Sequence, residues 1–189
     1  MIDKKLFIPM LLGTLRRGSY SEKAARYLFR KLEAYQEIET RFFDIQDFNL
    51  PQDEEGIPLQ KFNAEFRDAI LRADGLIIVS PEYNHSFPGS LKRAMDMLYK
   101  EYKNRVAGIA GVSSGIIGGA RMIESLAGVL KAYGLVITQK DLHFPKVQEL
   151  FDESGELKDE EIDKRADVFL KELLWLAKAL RWGRENLNE

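Results

Sequence analysis

A regular alternation of strand-like and helix-like segments constrains the fold of this chain most. The apolar run Leu6 to Leu12 precedes helical spacing over residues 21–35, and residues 38–45 then alternate like a strand. Residues 75–80 and 106–112 are two further apolar runs, each followed by a helical pattern. Helices that connect successive strands in this way build a mostly parallel, doubly wound sheet. We therefore predict an α/β fold with about five strands.

The remaining segments fit the same plan. Phe62 to Ile70 and Leu91 to Tyr102 predict two helices, Met122 to Ala132 a third, and Leu135 to Thr138 a last strand. A charged linker follows, and Ile162 to Leu180 predicts an amphipathic helix. We expect one of the two tryptophans near this helix to pack and the other to be exposed. Residues 1–189 are predicted to form a single domain.

Composition excludes several classes of function. The 189 residues carry a net charge of -2, far from the basic balance of many nucleic-acid binders. The chain has no cysteine, which excludes a thiolate nucleophile and Cys-ligated metals. Its two histidines leave few nitrogen ligands for a metal. No apolar stretch approaches the length of a membrane span. We expect a soluble, cytoplasmic protein with no metal site and no nucleic-acid or membrane partner.

Parallel sheets bind ligands beyond the carboxyl ends of their strands, so the loops that follow strands are the candidate sites. The first loop, residues 13–22, combines two glycines, hydroxyl side chains and Arg16 and Arg17 before a predicted helix. A helix N-terminus and a guanidinium group suit a phosphate. The alternative is a capping box formed by Ser19 and Glu22. The loop lacks both the Walker A and the dinucleotide-binding patterns, which favours a single terminal phosphate.

The second loop, residues 80–90, contains Pro81, Glu82, Tyr83 and Asn84. The prolines stiffen it, and an aromatic ring with amide groups suits a planar ligand. The alternative is a plain turn from strand to helix, with His85 on the surface.

The third loop, residues 111–121, is rich in glycine, which permits close approach of backbone to a flat ring. It also matches the Gly-x-Ser-x-Gly pattern of serine hydrolases, with Ser113 as the nucleophile. That fold requires an Asp and then a His on separate later loops. His143 is the only downstream histidine, and Asp141 lies too close to it in sequence to be an independent partner.

Together the three loops resemble those of the NADPH-dependent FMN reductase family, a flavodoxin-like group that includes quinone, azo-dye and chromate reductases. The shared motifs are Gly13-Thr14-x-Arg16-x-x-Ser19, Pro81-Glu82-Tyr83-Asn84-x-Ser86-x-Pro88-Gly89-x-Leu91-Lys92 and Ser113-x-Gly115-x-x-Gly118-Gly119-x-Arg121. Thr14, Arg93 and Ser114 depart from the residues most common in the family. The resemblance implies a three-layer α/β/α sandwich around a five-stranded parallel sheet.

The resemblance also implies the cofactor and its contacts. Thr14, Arg16, Ser19 and Ser21 would hold the FMN phosphate, Pro81, Glu82, Tyr83 and Asn84 would lie along the isoalloxazine, and Ser113 and Gly115 would border its other side. NADPH, or NADH, would donate electrons that pass through FMN to a small acceptor, such as a quinone, an azo compound, a metal oxyanion or free flavin, with no side chain acting as a catalytic acid or base.

Two other functions remain open at this point: a non-enzymatic flavodoxin-type electron carrier and a serine hydrolase using Ser113. The near-neutral charge is unlike that of the strongly acidic flavodoxin-type carriers. Relatives implied by the resemblance are commonly homodimers or homotetramers. Met97, Tyr99 and Tyr102 are candidates for such an interface, although most of the helix that contains them is expected to be core.

Overall fold

Five strand positions form the central sheet of the computed structural model, which describes residues 5–50 and 63–187. Three of the positions are split, so that eight short strands fill them: β1 (Leu6–Phe7), β2 (Met10–Leu12), β3 (Ile38–Glu39), β4 (Phe42–Asp44), β5 (Gly75–Pro81), β6 (Val106–Val112), β7 (Val136–Ile137) and β8 (Leu142–Phe144). Every pairing between them is parallel. The positions run β3/β4, β1/β2, β5, β6 and β7/β8, which confirms the expected flavodoxin-like parallel sheet.

Helices cover both faces of the sheet. They are α1 (Tyr20–Glu33), α2 (Ala64–Arg72), α3 (Gly89–Met95), α4 (Ala120–Ala132), α5 (Val147–Leu150) and α6 (Glu160–Asn186). One apolar core lies between the sheet and α1, α5 and α6, and a second lies between the sheet and α2, α3 and α4. Phe62, which we expected on α2, lies outside the described residues.

Pro9 explains why the first strand is split. It has no N–H to donate to a neighbouring strand, and pairing is interrupted between Phe7 and Met10. The carbonyl of Pro9 still accepts from Ile77 N–H at 3.0 Å, and the strand continues on the same line. The second position is split beside it, where the Thr40 hydroxyl donates to the carbonyl of Ile8 at 2.7 Å.

Three expectations about the helices and the linker were wrong. The helix predicted over Leu91 to Tyr102 ends at Met95, and residues 100–102 form a separate short turn. The linker after residue 138 contains β8 and α5, which extend the sheet and its covering layer. Trp175 and Trp182 are both exposed, although we expected one to pack.

Burial also corrects two of the three interface candidates. Met97 and Tyr102 are buried in the core of the chain, where the Tyr102 hydroxyl donates to the carbonyl of Met95 at 3.2 Å. Tyr99 remains exposed. In the part of the chain that the structure describes, no helix is long and apolar enough to cross a bilayer.

The amino edge of the sheet, where β5 begins, is held by a single carboxylate. Asp74 is 3% exposed, and it accepts hydrogen bonds from Phe7 N–H at 3.0 Å, Arg181 Nε at 2.8 Å and Arg184 Nη2 at 2.7 Å. Arg105 beside it donates to the carbonyls of Ala73 and Leu71. Burial, with the charge of Arg184, lowers the pKa of Arg105 to about 10, so it stays protonated at neutral pH. These contacts fix the last turns of α6 to the sheet.

Candidate functional site at the carboxyl edge

Three loops lie side by side at the opposite, carboxyl edge, because β2, β5 and β6 are neighbours in the sheet. Backbone hydrogen bonds join each loop to the next strand. Gly13 N–H donates to the carbonyl of Val79 at 2.8 Å, and Glu82 N–H donates to the carbonyl of Val112 at 2.9 Å. The loops predicted from sequence therefore meet in one place.

The first loop leads into α1 and leaves its donors open. Ser19 precedes the helix, but its hydroxyl makes no capping hydrogen bond, and Glu22 instead lies 3.5 Å from Arg26. The capping-box alternative is therefore wrong. Ser19 Oγ is buried without a partner, and the backbone N–H groups of residues 17–21 have no acceptor among the described residues. A buried hydroxyl and a run of N–H groups without acceptors form a binding site for an anion.

Thr14 connects the first loop to the second. Its buried hydroxyl shares a hydrogen bond of 3.1 Å with the hydroxyl of Tyr83 and accepts from Arg16 N–H at 3.2 Å. The Arg16 guanidinium carbon lies 5.4 Å from the centre of the Tyr83 ring. Arg16 and Arg17 are exposed, whereas Ser21 is buried in the first turn of α1. The structure thus brings Thr14, Arg16 and Tyr83 together, and Ser19 follows on the same loop.

The second loop is a tight hairpin. Tyr83 and Ser86 pair as an antiparallel bridge, and Asn84 and His85 between them have φ values of 49° and 69°. Two successive residues with positive φ are typical of a type I′ turn, which costs a residue such as His conformational energy. Asn84 N–H has no acceptor among the described residues. The Ser86 and Ser125 hydroxyls, 2.8 Å apart, hold the hairpin against α4.

Glu82 is the one acid of this loop and is half-buried. Its carboxylate Oε2 has no hydrogen-bond partner among the described residues, and Oε1 lies 3.8 Å from Arg121 Nη1. This ion pair connects the second loop to the first turn of α4. Pro81, immediately before Glu82, is the last residue of β5 and pairs with Val112.

The glycines of the third loop have two different roles. A Cβ atom at Gly119 would lie 2.7 Å from the backbone nitrogen of Val112, and one at Gly111 would lie 2.7 Å from the carbonyl oxygen of Gly118. Those glycines allow the loop to fold back on β6. Gly115 is different, since the nearest atom to its Cβ position is Ser113 Oγ at 3.8 Å. Close approach by a ligand is therefore possible at Gly115 and is blocked at Gly111 and Gly119 by the chain itself.

Ser113 is not arranged as a nucleophile. Its hydroxyl donates to the carbonyl of Gly115 at 3.2 Å. His143 Nδ1 has no partner among the described residues. Burial raises the pKa of Asp141, and the charge of His143 opposes that shift. Without a Ser113 to His143 hydrogen bond, the hydrolase alternative loses its geometric basis.

One part of this edge was missed by sequence reasoning. β8 ends beside the third loop, where Ser113 N–H donates to the carbonyl of Phe144 at 3.1 Å and Lys146 N–H donates to the carbonyl of Gly115 at 2.9 Å. Lys146 has a φ of 42°, a left-handed conformation that turns the chain over this loop. Residues 142–146 therefore support the third loop from behind. The sequence signal that could have indicated the end of a strand here was the Phe144-Pro145 pair within a charged segment.

Comparison with known proteins gives one consistent assignment. The family model for NADPH-dependent FMN reductase matches residues 8–149. A quinone reductase of Escherichia coli is 36% identical over 146 residues, which cover 74% of this chain and 77% of that protein. A 2-hydroxy-1,4-benzoquinone reductase of a Burkholderia species is 30% identical over 171 residues, 87% of this chain and 92% of that protein.

A solved structure agrees with these sequence relatives. The flavoenzyme NAD(P)H:(acceptor) oxidoreductase of Paracoccus denitrificans superimposes with a TM-score of 0.75 at 25% identity, covering 92% of this chain and 98% of that chain. The similarity extends beyond the three loops to the whole sheet and its covering helices.

Proposed function

Because the chain belongs to the NADPH-dependent FMN reductase family, we propose that its three loops bind FMN across the carboxyl edge and that its acceptor is a quinone. The protein is an oxidoreductase that uses FMN and takes electrons from NADPH for small acceptors. The choice of a quinone rests on the names of two relatives that are 36% and 30% identical to this chain.

The open anion site in the first loop is the observation that carries the proposed position of FMN. Ser19 Oγ and the N–H groups of residues 17–21 have no partners in the described chain, and they would satisfy a phosphate. Arg16 would add a charged, two-pronged donor. Thr14 and Ser21, both buried, would complete the phosphate contacts.

The second and third loops would hold the ring system. Pro81, Glu82, Tyr83 and Asn84 would lie along one side of it, and the N–H of Asn84 is available to a ring oxygen or nitrogen. Ser113 and Gly115 would border the other side, where the backbone is open. FMN, when bound, supplies the hydride and electron transfer. The protein would orient the rings, so we assign no catalytic side chain.

The experiment uses the visible spectrum of the protein with added FMN, followed by NADPH and then 1,4-benzoquinone under anaerobic conditions. We expect flavin bands that NADPH bleaches and the quinone restores. Arg16→Ala should weaken FMN binding about tenfold, because it removes a charge-assisted contact. The matched control is Arg17→Ala, which removes a neighbouring exposed arginine and should leave the affinity unchanged.

Three outcomes would contradict the proposal. Failure to bind FMN would contradict the position of the site. Bound FMN that NADPH cannot bleach would favour an electron carrier. Reduced flavin that 1,4-benzoquinone cannot reoxidise would show that the acceptor belongs to another chemical class.

We also propose that the protein is cytoplasmic and forms a homodimer or homotetramer. A chain without cysteine is compatible with a reducing compartment. Exposed Tyr99 is the remaining candidate for contact between copies. Light scattering of the wild type and of Tyr99→Ser tests the oligomer, and a monomeric wild type would contradict it.

A further inference from the structure

One line of side chains on the outer surface of α6 alternates between cationic and apolar residues. We call it the α6 stripe, and its members are Lys164, Val168, Lys171, Trp175, Lys178 and Trp182. At 100° and 1.5 Å per residue, the six positions fall within an arc of about 80° and extend over about 27 Å. They therefore form one continuous strip along the helix, parallel to its axis.

The apolar members of the stripe are largely exposed to solvent. Trp175 is 68% exposed, Trp182 is 60% exposed and Val168 is 52% exposed. The opposite side of α6 already packs its apolar residues, including Phe169 and Leu173, into the core. Large aromatic side chains exposed this close together mark a surface that contacts a membrane or another molecule.

The charge of the stripe identifies what can cover it. Within α6, all of which is described, the arc of the stripe contains three lysines and one acid, Glu160, at the first residue of the helix. Lys164 and Lys171 have no ion-pair partner among the described residues, and Lys178 Nζ is 4.0 Å from Glu37 Oε1. Of the acids that border the arc, Glu161 pairs with Arg165 and Asp167 pairs with Lys31, and Glu185 lies at the far end of the helix. The strip is therefore cationic as well as apolar.

A second copy of this chain is a poor partner for such a strip. Two-fold pairing of the α6 stripe with itself would bring three lysines from each copy into one interface, with only Glu160 of each copy to offset them. Like charges in an interface are destabilising. An anionic phospholipid surface fits better, because lysines reach phosphates at the depth where tryptophan rings prefer to lie.

We propose that the α6 stripe docks the protein onto a bilayer surface that carries anionic phospholipids. The helix would lie along the membrane with its tryptophans between the headgroups and its lysines against their phosphates. The sequence-based expectation of no membrane partner rested on the length of apolar runs, which detects spanning segments and not helices that lie on a surface.

The test uses tryptophan fluorescence as an intrinsic probe, because the chain has two tryptophans and both are in the stripe. FMN-loaded protein is mixed with vesicles of phosphatidylcholine alone, or with about one third phosphatidylglycerol. We expect the tryptophan emission to shift to shorter wavelength, and the protein to cosediment, with the anionic vesicles only. Raising the salt concentration should reverse both effects.

Variants separate the two components of the stripe. Lys164→Gln combined with Lys171→Gln should lower partitioning about fivefold for each lysine removed. Trp175→Ser combined with Trp182→Ser should lower cosedimentation at least about tenfold. Leu71→Ser and Lys131→Gln are matched controls at exposed positions outside α6 and should change neither measurement. All variants should keep their rate of NADPH oxidation with a water-soluble quinone.

Two results would overturn the proposal. The first is equal partitioning to neutral and anionic vesicles, or partitioning that the stripe variants leave unchanged. The second is tryptophan emission that is already at short wavelength without vesicles and shifts to longer wavelength on dilution, which would mean that a second copy covers the stripe.

Discussion

The two edges of the sheet differ in how their buried polar groups are partnered. At the amino edge, the Asp74 carboxylate accepts from a backbone N–H and two arginines, and it ties α6 to the sheet. At the carboxyl edge, Ser19 Oγ and Glu82 Oε2 are buried without hydrogen-bond partners among the described residues. An edge whose buried carboxylate is fully partnered within the chain supports stability. An edge that leaves buried polar groups unsatisfied is prepared for a ligand.

The comparison predicts the largest effect at Asp74. Asp74→Ala should lower the free energy of unfolding by about 3 to 5 kcal/mol, because a buried N–H and two guanidinium groups lose their acceptor. Urea denaturation measures this change through its midpoint. Asp74→Asn keeps one acceptor oxygen and should cost less. A loss below about 1 kcal/mol for the alanine variant would mean that the arginines find other acceptors.

The same variant also tests whether the two edges of the sheet act independently. Folded Asp74→Ala protein should bind FMN as the wild type does, because Asp74 lies at the opposite end of β5 from the loops. Weakened FMN binding at a temperature where the variant is folded would show that the two edges are coupled.

The next largest effect is expected at Ser19, where a substitution should weaken FMN binding without lowering stability. Ser19→Ala should raise the dissociation constant for FMN about fivefold to tenfold, since one phosphate donor is lost. The stability of the FMN-free protein should stay level or rise slightly, because the buried hydroxyl has no partner to lose. Flavin fluorescence titration and urea denaturation measure the two quantities. Ser154→Ala, at an exposed position outside the three loops, is the control and should leave FMN affinity unchanged.

A Ser19→Ala variant that is strongly destabilised without FMN would contradict the assignment of this hydroxyl to a ligand. It would mean that the serine contributes to the fold in the same way as Asp74, and the contrast between the edges would disappear.

The smallest expected effect is at His85, where the carboxyl edge contains backbone strain. His85→Gly should stabilise the FMN-free protein by about 0.5 kcal/mol, because relief of the left-handed conformation exceeds the entropy that glycine adds to the unfolded chain. The melting temperature measures this effect. Asn84→Gly is the comparator and should change less, since Asn tolerates positive φ better than His. A lower melting temperature for His85→Gly would show that the imidazole makes a stabilising contact.

Sequence patterns predicted the central strands better than the outer ones. β6 begins and ends at the predicted residues, and β5 continues one residue further, to Pro81, because both are apolar runs buried on two faces. The outer strands are pieces of two or three residues, too short for a periodic pattern. β8 was missed because Leu142-His143-Phe144 stands between charged residues and pairs only through the tertiary structure.

The site was predictable in its parts and not in its geometry. Glycines, hydroxyls and prolines after strands identified the three loops, since strand order places such loops at one edge. The hydrogen bond between Thr14 and Tyr83 joins residues 69 positions apart, and no local pattern indicates it. The left-handed turn at Asn84 and His85 was equally hidden, because His gives no turn signal of its own.

The split outer strands have a consequence for aggregation. β3 and β4 form one side of the sheet and β7 and β8 the other, in pieces of two or three residues. A long, straight outer strand presents unpaired N–H and carbonyl groups on which an extended segment of another chain can be added. Interrupted strands offer no such template. Copies of this protein are therefore expected to meet through helical surfaces, and its parallel sheet is protected against growth into fibrils.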